Sequence, residues 1–153
     1  MDDKSNVLVV DDEEVVCLSY SRALAGAQYS VEAAHDGSEA LEMMRERSFD
    51  VVMLDLRMPG LDGMSVLKLI KEKWPESEVV IITGYPSIET AKEAVRLGAY
   101  NYLAKPVGPD DVINAASRAV MHKMWALHEY RIGEAQEDDP RADSGKSSCS
   151  SIC

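Results

Sequence analysis

Five polar side chains follow directly on apolar runs. Asp11 and Asp12 follow Val7, Leu8, Val9 and Val10. Asp55 follows Val51, Val52, Met53 and Leu54. Thr83 follows Val79, Val80, Ile81 and Ile82, and Lys105 follows a shorter run at 100–104. Three carboxylates brought to one place cannot all stay ionised cheaply unless a cation joins them. Hard oxygen donors in a small cluster suit Mg2+ (or Mn2+), which keeps some waters and takes a phosphate oxygen as a further ligand. A lysine beside them adds fixed positive charge, and a threonine hydroxyl can donate to an incoming anion. Cation, ammonium and hydroxyl together match the charge spread over a phosphoryl group in transfer. One carboxylate of the ring can itself be the nucleophile, giving an aspartyl phosphate. Each piece alone has a plainer explanation: an acid after a strand is often the N-cap of the next helix, and Asp12 could be only that. Four rim positions with compatible chemistry are harder to reach by chance.

These residues meet only if the runs before them lie side by side. The runs at 7–10, 51–54 and 79–82 are apolar at every position, as expected of strands covered on both faces by helices in a parallel sheet. Residues 29–34 alternate instead, with Tyr29, Val31 and Ala33 on one face and Ser30 and Glu32 on the other, which suits an edge strand. Between the strands lie helical patterns. Val16, Tyr20, Ala23, Leu24 and Ala27 share one face of a helix that ends near Gly26. Ala40, Leu41 and Met44 share a face in 36–47, and Leu67 and Ile70 in 64–74, before Pro75. The segment 87–97 opens on Ser87 and stops at Gly98. Val112, Ile113, Ala116, Val120 and Leu127 run down a last helix. Five β/α units in strict alternation predict a doubly wound α/β fold around a five-stranded parallel sheet with right-handed crossovers. Ligands of such sheets bind outside the carboxyl ends of the strands, which is where all five polar residues fall.

Composition narrows the function classes. The chain has 153 residues, 16 Lys and Arg against 27 Asp and Glu, and a net charge of −11. That length suits one domain, and 46% hydrophobic residues argue against wholesale disorder. The acidic balance argues against direct nucleic-acid binding, because no basic patch could neutralise several phosphates. The apolar runs are too short to cross a bilayer, and the first residues carry no secretory signal. Three cysteines (Cys17, Cys149 and Cys153) make no disulfide framework. A cytoplasmic location is expected.

The stretches Val9-Val-Asp-Asp-Glu13, Leu54-Asp-Leu-Arg-Met-Pro-Gly-Leu-Asp-Gly63, Ile82-Thr-Gly84 and Gly98-Ala-Tyr-Asn-Tyr-Leu-Ala-Lys-Pro106 resemble, in order and spacing, the response-regulator receiver domain of two-component signalling. The likeness covers about residues 6 to 125. The runs Thr83-Gly-Tyr-Pro-Ser-Ile-Glu-Thr-Ala91 and Leu97-Gly-Ala-Tyr-Asn-Tyr102 are most similar to receivers that precede ATPase-type transcription activators, and residues 133–153 are not expected to form such an output domain. The resemblance implies a flavodoxin-like sheet of order 2-1-3-4-5. It implies that Asp55 is phosphorylated by the phosphohistidine of a sensor histidine kinase. Asp11, Asp12, Asp55 and the main-chain carbonyl of Arg57 would hold the metal. Lys105 would pair with Asp55 and then with the phosphoryl oxygens, Thr83 would hydrogen-bond the phosphoryl group, and the Lys105–Pro106 peptide would be cis. Pro59 and Gly60 would shape the loop after the acceptor. Tyr102 would be the switch aromatic that turns into space vacated by Thr83, remodelling the face of the fourth helix, fifth strand and last helix. Arg57 and Tyr85 stand where the family tunes phosphoryl lifetime, and both are bulky enough to screen against water. Such a chain is not an enzyme in the usual sense, since it catalyses only its own phosphorylation and dephosphorylation. The alternatives are a regulatory fragment of a larger transcription activator and a receiver-like binding module that no longer phosphorylates. The partners the resemblance implies are a sensor histidine kinase and a downstream protein target.

Other signals weigh less. A haloacid-dehalogenase-type phosphatase would want an acid where Arg57 stands. Gly145-Lys146-Ser147 imitates the end of a P-loop, but Pro140 occupies the first glycine position. His35, His122 and His128 show no metal-ligand spacing with cysteine. Cys17 belongs to packing. The chain divides into a short extension at 1–5, a receiver at 6–132 with an extended last helix, and an acidic, serine-rich tail at 133–153 expected to be disordered. Met121, Met124, Trp125, His128 and Ile132 form a second stripe on the last helix. It is either a contact surface, for a homodimer or a target, or a segment folded over the domain's own lower rim.

Overall fold

Side chains of a strand alternate between its two faces, and in the central strands both sets are apolar. The computed structural model describes residues 4–138. Its elements are β1 (Asn6–Val10), α1 (Glu14–Gly26), β2 (Ser30–Ala34), α2 (Gly37–Glu46), β3 (Val51–Leu54), α3 (Gly63–Lys73), β4 (Glu78–Thr83), α4 (Ile88–Arg96), β5 (Asn101–Ala104) and α5 (Pro109–Asp138). The five strands form one sheet in the order β2-β1-β3-β4-β5, and every pairing is parallel. The doubly wound α/β architecture read from the sequence and the strand order the resemblance implies are those of the structure.

The alternation divides the core into two layers. Leu8, Val10, Val52, Leu54, Val79 and Ile81 pack with Leu41, Met44, Val66, Leu67 and Ile70 of α2 and α3. Val7, Val9, Val51, Met53, Val80 and Ile82 pack with Cys17, Tyr20 and Leu24 of α1 and with Val112, Ala115, Ala116 and Ala119 of α5. Each such fully buried Val, Leu or Ile is worth about 1.5–3 kcal/mol relative to exposure, so a one-residue slip of any central strand would forfeit much of the core. The starts of α2, α3 and α4 are set by side-chain caps. Asp36, Asp62 and Ser87 accept hydrogen bonds from the backbone N–H of Glu39, Ser65 and Thr90.

Two local features differ from the sequence reading. Gly26 is the last helical residue of α1, but the left-handed turn after it falls on Gln28, at φ 76°. The helix α5 runs to Asp138 rather than ending at 132. Glu134, Ala135, Gln136 and Glu137 are good helix formers, and one Gly133 costs only about 1 kcal/mol against alanine. The rest of the tail, with Cys149 and Cys153, lies outside the described residues, as does the side chain of Ile132. Met121, Met124 and Trp125 are 66, 64 and 62% exposed, so this part of α5 does not fold over the domain's own rim. Beyond its core packing through Val112, Ala115, Ala116 and Ala119, α5 has a pair of polar ties at the lower edge of the sheet. Lys123 binds Asp50, and His122 Nδ1 lies 2.7 Å from Glu78 Oε2, with the Tyr100 ring against the imidazole, tilted by 37° with centroids 4.7 Å apart. Among the described residues no helix is long and apolar enough to cross a membrane.

Candidate functional site

The upper rim of the sheet is assembled by register. Val10 of β1 pairs with Leu54 of β3, so the residues that follow, Asp11 and Asp55, leave adjacent strands side by side. Asp55 N–H donates to the Val10 carbonyl at 3.0 Å, and Asp11 N–H to that of Ala34 at 3.1 Å. Thr83 of β4 pairs with Ala104 of β5, which brings Lys105 to the same rim; its N–H donates to the Thr83 carbonyl at 2.8 Å. The Lys105–Pro106 peptide is cis.

Four residues from distant parts of the chain thereby converge. One carboxylate oxygen each of Asp11, Asp12 and Asp55 lies within 4.8 Å of the others. Lys105 Nζ donates to Asp11 Oδ2 at 2.8 Å and stands 3.7 Å from Asp55 Oδ2 and 3.9 Å from Glu13 Oε1. The resting partner of the lysine is therefore Asp11, with Asp55 at longer range. Asp11 is further held by the Glu13 N–H on its Oδ1 at 2.9 Å. The Cys17 thiol donates to the Asp11 carbonyl at 3.2 Å. Burial and the neighbouring Asp11 charge push that thiol up to about 11, so it stays a protonated packing group.

The electrostatics follow from burial. Asp11 and Asp55 are buried, whereas Asp12 is exposed. Burial raises the Asp55 carboxyl above its ordinary range, as does the Asp11 charge, while Lys105 and the Arg57 N–H oppose the rise. Burial works against the Lys105 charge, but the Asp11 hydrogen bond and the Asp55 charge outweigh it, and the ammonium is held more firmly protonated than usual. Excess negative charge at the floor of a cleft is what a divalent cation relieves. Ligands of one Mg2+ lie about 3–4 Å apart, so these three oxygens need only small rotations to share a coordination sphere. The donor set fits a hard cation, and the Arg57 carbonyl lies on the same loop.

Around the carboxylates is a hollow of about 480 Å³ lined by Asp12, Glu13, Asp55, Arg57, Gly84, Tyr85 and Lys105. Arg57 and Tyr85 stack across it, with the guanidinium carbon 3.9 Å from the ring centroid, a cation–π pair. Thr83 is fully buried, and its Oγ1 accepts from the Tyr85 N–H at 3.0 Å. Tyr102 does not reach Thr83. Its hydroxyl lies 2.6 Å from Thr90 Oγ1 and accepts from the Ser87 N–H at 3.2 Å. Thr90 had no signal in the sequence beyond a position in the first turn of a helix. Gly63 was also passed over: a Cβ there would stand 2.5 Å from the Asp55 carbonyl oxygen and from Leu56 Cα. Its sequence sign is its place at the end of the Leu54–Gly63 stretch that carries the resemblance.

Comparison with known proteins agrees with this geometry. Residues 7–117 match the family model of the response regulator receiver domain. The transcriptional regulatory protein ZraR of Escherichia coli O157:H7 is 42% identical over 120 residues, which are 78% of this chain and 27% of that protein. The DNA-binding transcriptional regulator NtrC of E. coli K12 is 38% identical over 116 residues, 76% of this chain and 25% of that one. The chain thus spans about a quarter of the length of these curated relatives. Among solved structures, NtrX from Brucella abortus superposes with a TM-score of 0.80 at 34% identity, over 84% of this chain and 29% of that one. A CheY-like receiver domain protein from Methanospirillum hungatei JF-1 does so with a TM-score of 0.78 at 25% identity, over 80% and 98%. With motif order, strand order and a converged acidic rim in agreement, this chain belongs to the response-regulator receiver family.

Proposed function

We propose that the chain accepts a phosphoryl group on Asp55 from the phosphohistidine of a sensor histidine kinase and signals by a change in its protein-contacting face. The supporting observation is the convergence of Asp11, Asp12 and Asp55 within 4.8 Å, with the Lys105 ammonium 3.7 Å from Asp55. Asp55 is the nucleophile. One of its oxygens bonds to phosphorus, the P–N bond to the donor imidazole breaks, and the electron pair returns to that imidazole. A bound Mg2+ or Mn2+ would supply charge neutralisation for the phosphoryl oxygens, held by Asp11, Asp12, Asp55 and the Arg57 carbonyl. Lys105 exchanges its bond to Asp11 for the new anion. Thr83 Oγ1, which now accepts from Tyr85, turns its proton toward that anion. Movement of Thr83 and of the β4–α4 loop is passed to Tyr102, whose hydroxyl is already bonded to that loop and to α4. Arg57 and Tyr85 screen the acyl phosphate from water and lengthen its life. The location is cytoplasmic.

The output face is α4-β5-α5, continued by the exposed Met121, Met124 and Trp125, through which copies of the chain or a target meet. A second reading, in which this receiver is the regulatory part of a transcription activator, is favoured by the names of ZraR and NtrC. Incubation with Mg2+ and phosphoramidate followed by intact-mass measurement tests the acceptor. The wild-type chain gains one phosphoryl group and Asp55→Asn gains none; equal labelling of both, or none of either, overturns the proposal.

A further inference from the structure

The helix α4 is held differently from the other four. Ala94 is its single buried residue, and its larger apolar side chains, Ile88 and Val95, are 72 and 65% exposed. Little apolar burial ties it to the sheet, so polar contacts carry an unusual share of its attachment. Those contacts gather at its first turn. Ser87 Oγ accepts from the Thr90 N–H at 3.1 Å and lies 2.9 Å from Thr90 Oγ1. Thr90 Oγ1 donates to the Ser87 carbonyl at 3.2 Å and lies 2.6 Å from the Tyr102 hydroxyl, which also takes the Ser87 N–H at 3.2 Å. One arrangement of protons satisfies the bonds around the phenol. Tyr102 O–H donates to Thr90, Thr90 O–H donates to the Ser87 carbonyl, and the phenol oxygen receives the Ser87 N–H. The phenol of β5 is thereby clasped to the cap of α4 from two sides.

We propose that Thr90 is a positioning residue of the switch: its hydroxyl latches the Tyr102 phenol to the first turn of α4 in the unphosphorylated chain. The inference rests on the reading of Tyr102 as the switch aromatic and names the group that holds it at rest. A phenol that swings toward the space near Thr83 must leave Thr90 and Ser87. The movement therefore unfastens the end of α4 that has the least apolar anchorage. Thr90 sets the resting balance, because its bond exists in one position of the ring and is lost in the other. The loss of one such hydrogen bond shifts that balance about two- to tenfold.

Hydrogen exchange on the full chain without phosphodonor tests the latch, with the amides of β1 and β3 as internal standards. Thr90→Val and Tyr102→Phe each speed exchange at residues 90–92 about two- to tenfold. The double variant is accelerated by less than the product of the two singles, because both remove one shared bond, while each single also loses its own bond to Ser87. Thr90→Ser restores the wild-type rate. A double variant whose acceleration is the product of the two singles, a single at the wild-type rate, or failure of serine to rescue overturns the latch. Should valine disturb β1 or β3, Thr90→Ala is the variant carried through the same cycle. Full phosphorylation of wild type, checked by mass, speeds exchange at 90–92 and adds less in Tyr102→Phe; an unchanged rate overturns the link to the switch. Failure of the chain to take up phosphoryl at all would instead overturn the proposed function, while the cycle on unmodified protein still reports on the latch.

Discussion

Replacing Asp55 with asparagine should make this protein more stable, although Asp55 lies at the centre of its site. Asn keeps the shape and the acceptor oxygen and removes one charge. At an effective dielectric of about 20, a like charge no farther than 4.8 Å away costs at least about 3 kcal/mol, and the Lys105 ammonium at 3.7 Å returns about 4 kcal/mol. Asp11 and Asp12 both repel Asp55 while one lysine attracts it, and that lysine is bonded more closely to Asp11. Asp12 is exposed and its share is reduced by solvent. Burial of Asp55 adds a desolvation cost that asparagine largely escapes. The net gain for Asp55→Asn is about 1–2 kcal/mol at pH 7, or about 3–8 °C in Tm for a domain of this size. The sign with pH follows from the raised Asp55 carboxyl. A carboxyl that holds its proton more tightly folded than unfolded costs nothing below its ordinary value of about 4. It destabilises progressively as pH rises through the raised value. The advantage of asparagine is therefore larger at pH 7 than in acid, where both side chains are neutral. Added Mg2+ stabilises wild type by mass action and the variant less, so the gap narrows as the cation is titrated in. Thermal melts followed by circular dichroism, at several pH values with and without Mg2+, measure all of this. An Asn variant no more stable than wild type at pH 7 without divalent cations, or a gap that Mg2+ leaves unchanged, would refute the electrostatic account of the site.

Arg57→Ala and Tyr85→Ala should each speed loss of the phosphoryl group, and the pair should act non-additively because the two side chains stack at 3.9 Å; time-resolved intact mass after removal of the donor measures it, and unchanged decay in both would reject the screen. Gly63→Ala should destabilise by about 1–3 kcal/mol, since its Cβ would press on the Asp55 carbonyl oxygen and Leu56 Cα at 2.5 Å. A denaturant melt with an unchanged midpoint would contradict that. Glutamate at Met124 and Trp125, both exposed on α5, should abolish any phosphorylation-dependent shift in size-exclusion elution while leaving phosphoryl uptake intact; a shift retained by the variant would remove that stripe from the contact face.

The fold was legible because burial on both faces leaves a mark in one dimension. A strand such as 79–82 has no polar position to spare, and the alternation of residues 29–34 marks β2 as an edge. The cap at Ser87 is local chemistry, set within three residues, and so were Thr83 and the acids at the ends of their strands. The end of α5 was less legible, because a single glycine resembles a stop when its neighbours are polar but does not outweigh four helix formers. The left-handed turn at Gln28 had no sign at all, since the nearby Gly26 is the residue that usually takes that role.

Composition and periodicity thus determined which residues reach the rim, since a strand end is fixed by its own run of side chains. They did not determine which rim residues bond to one another. That Lys105 rests on Asp11 at 2.8 Å, that Tyr102 is clasped by Thr90 and Ser87, and that Lys123 and His122 fasten α5 to Asp50 and Glu78 are all contacts between residues remote in sequence or offset on separate elements. Each is decided by a choice among partners within a few ångströms, where hydrogen-bond geometry and burial outweigh residue type, and only the packed chain makes that choice.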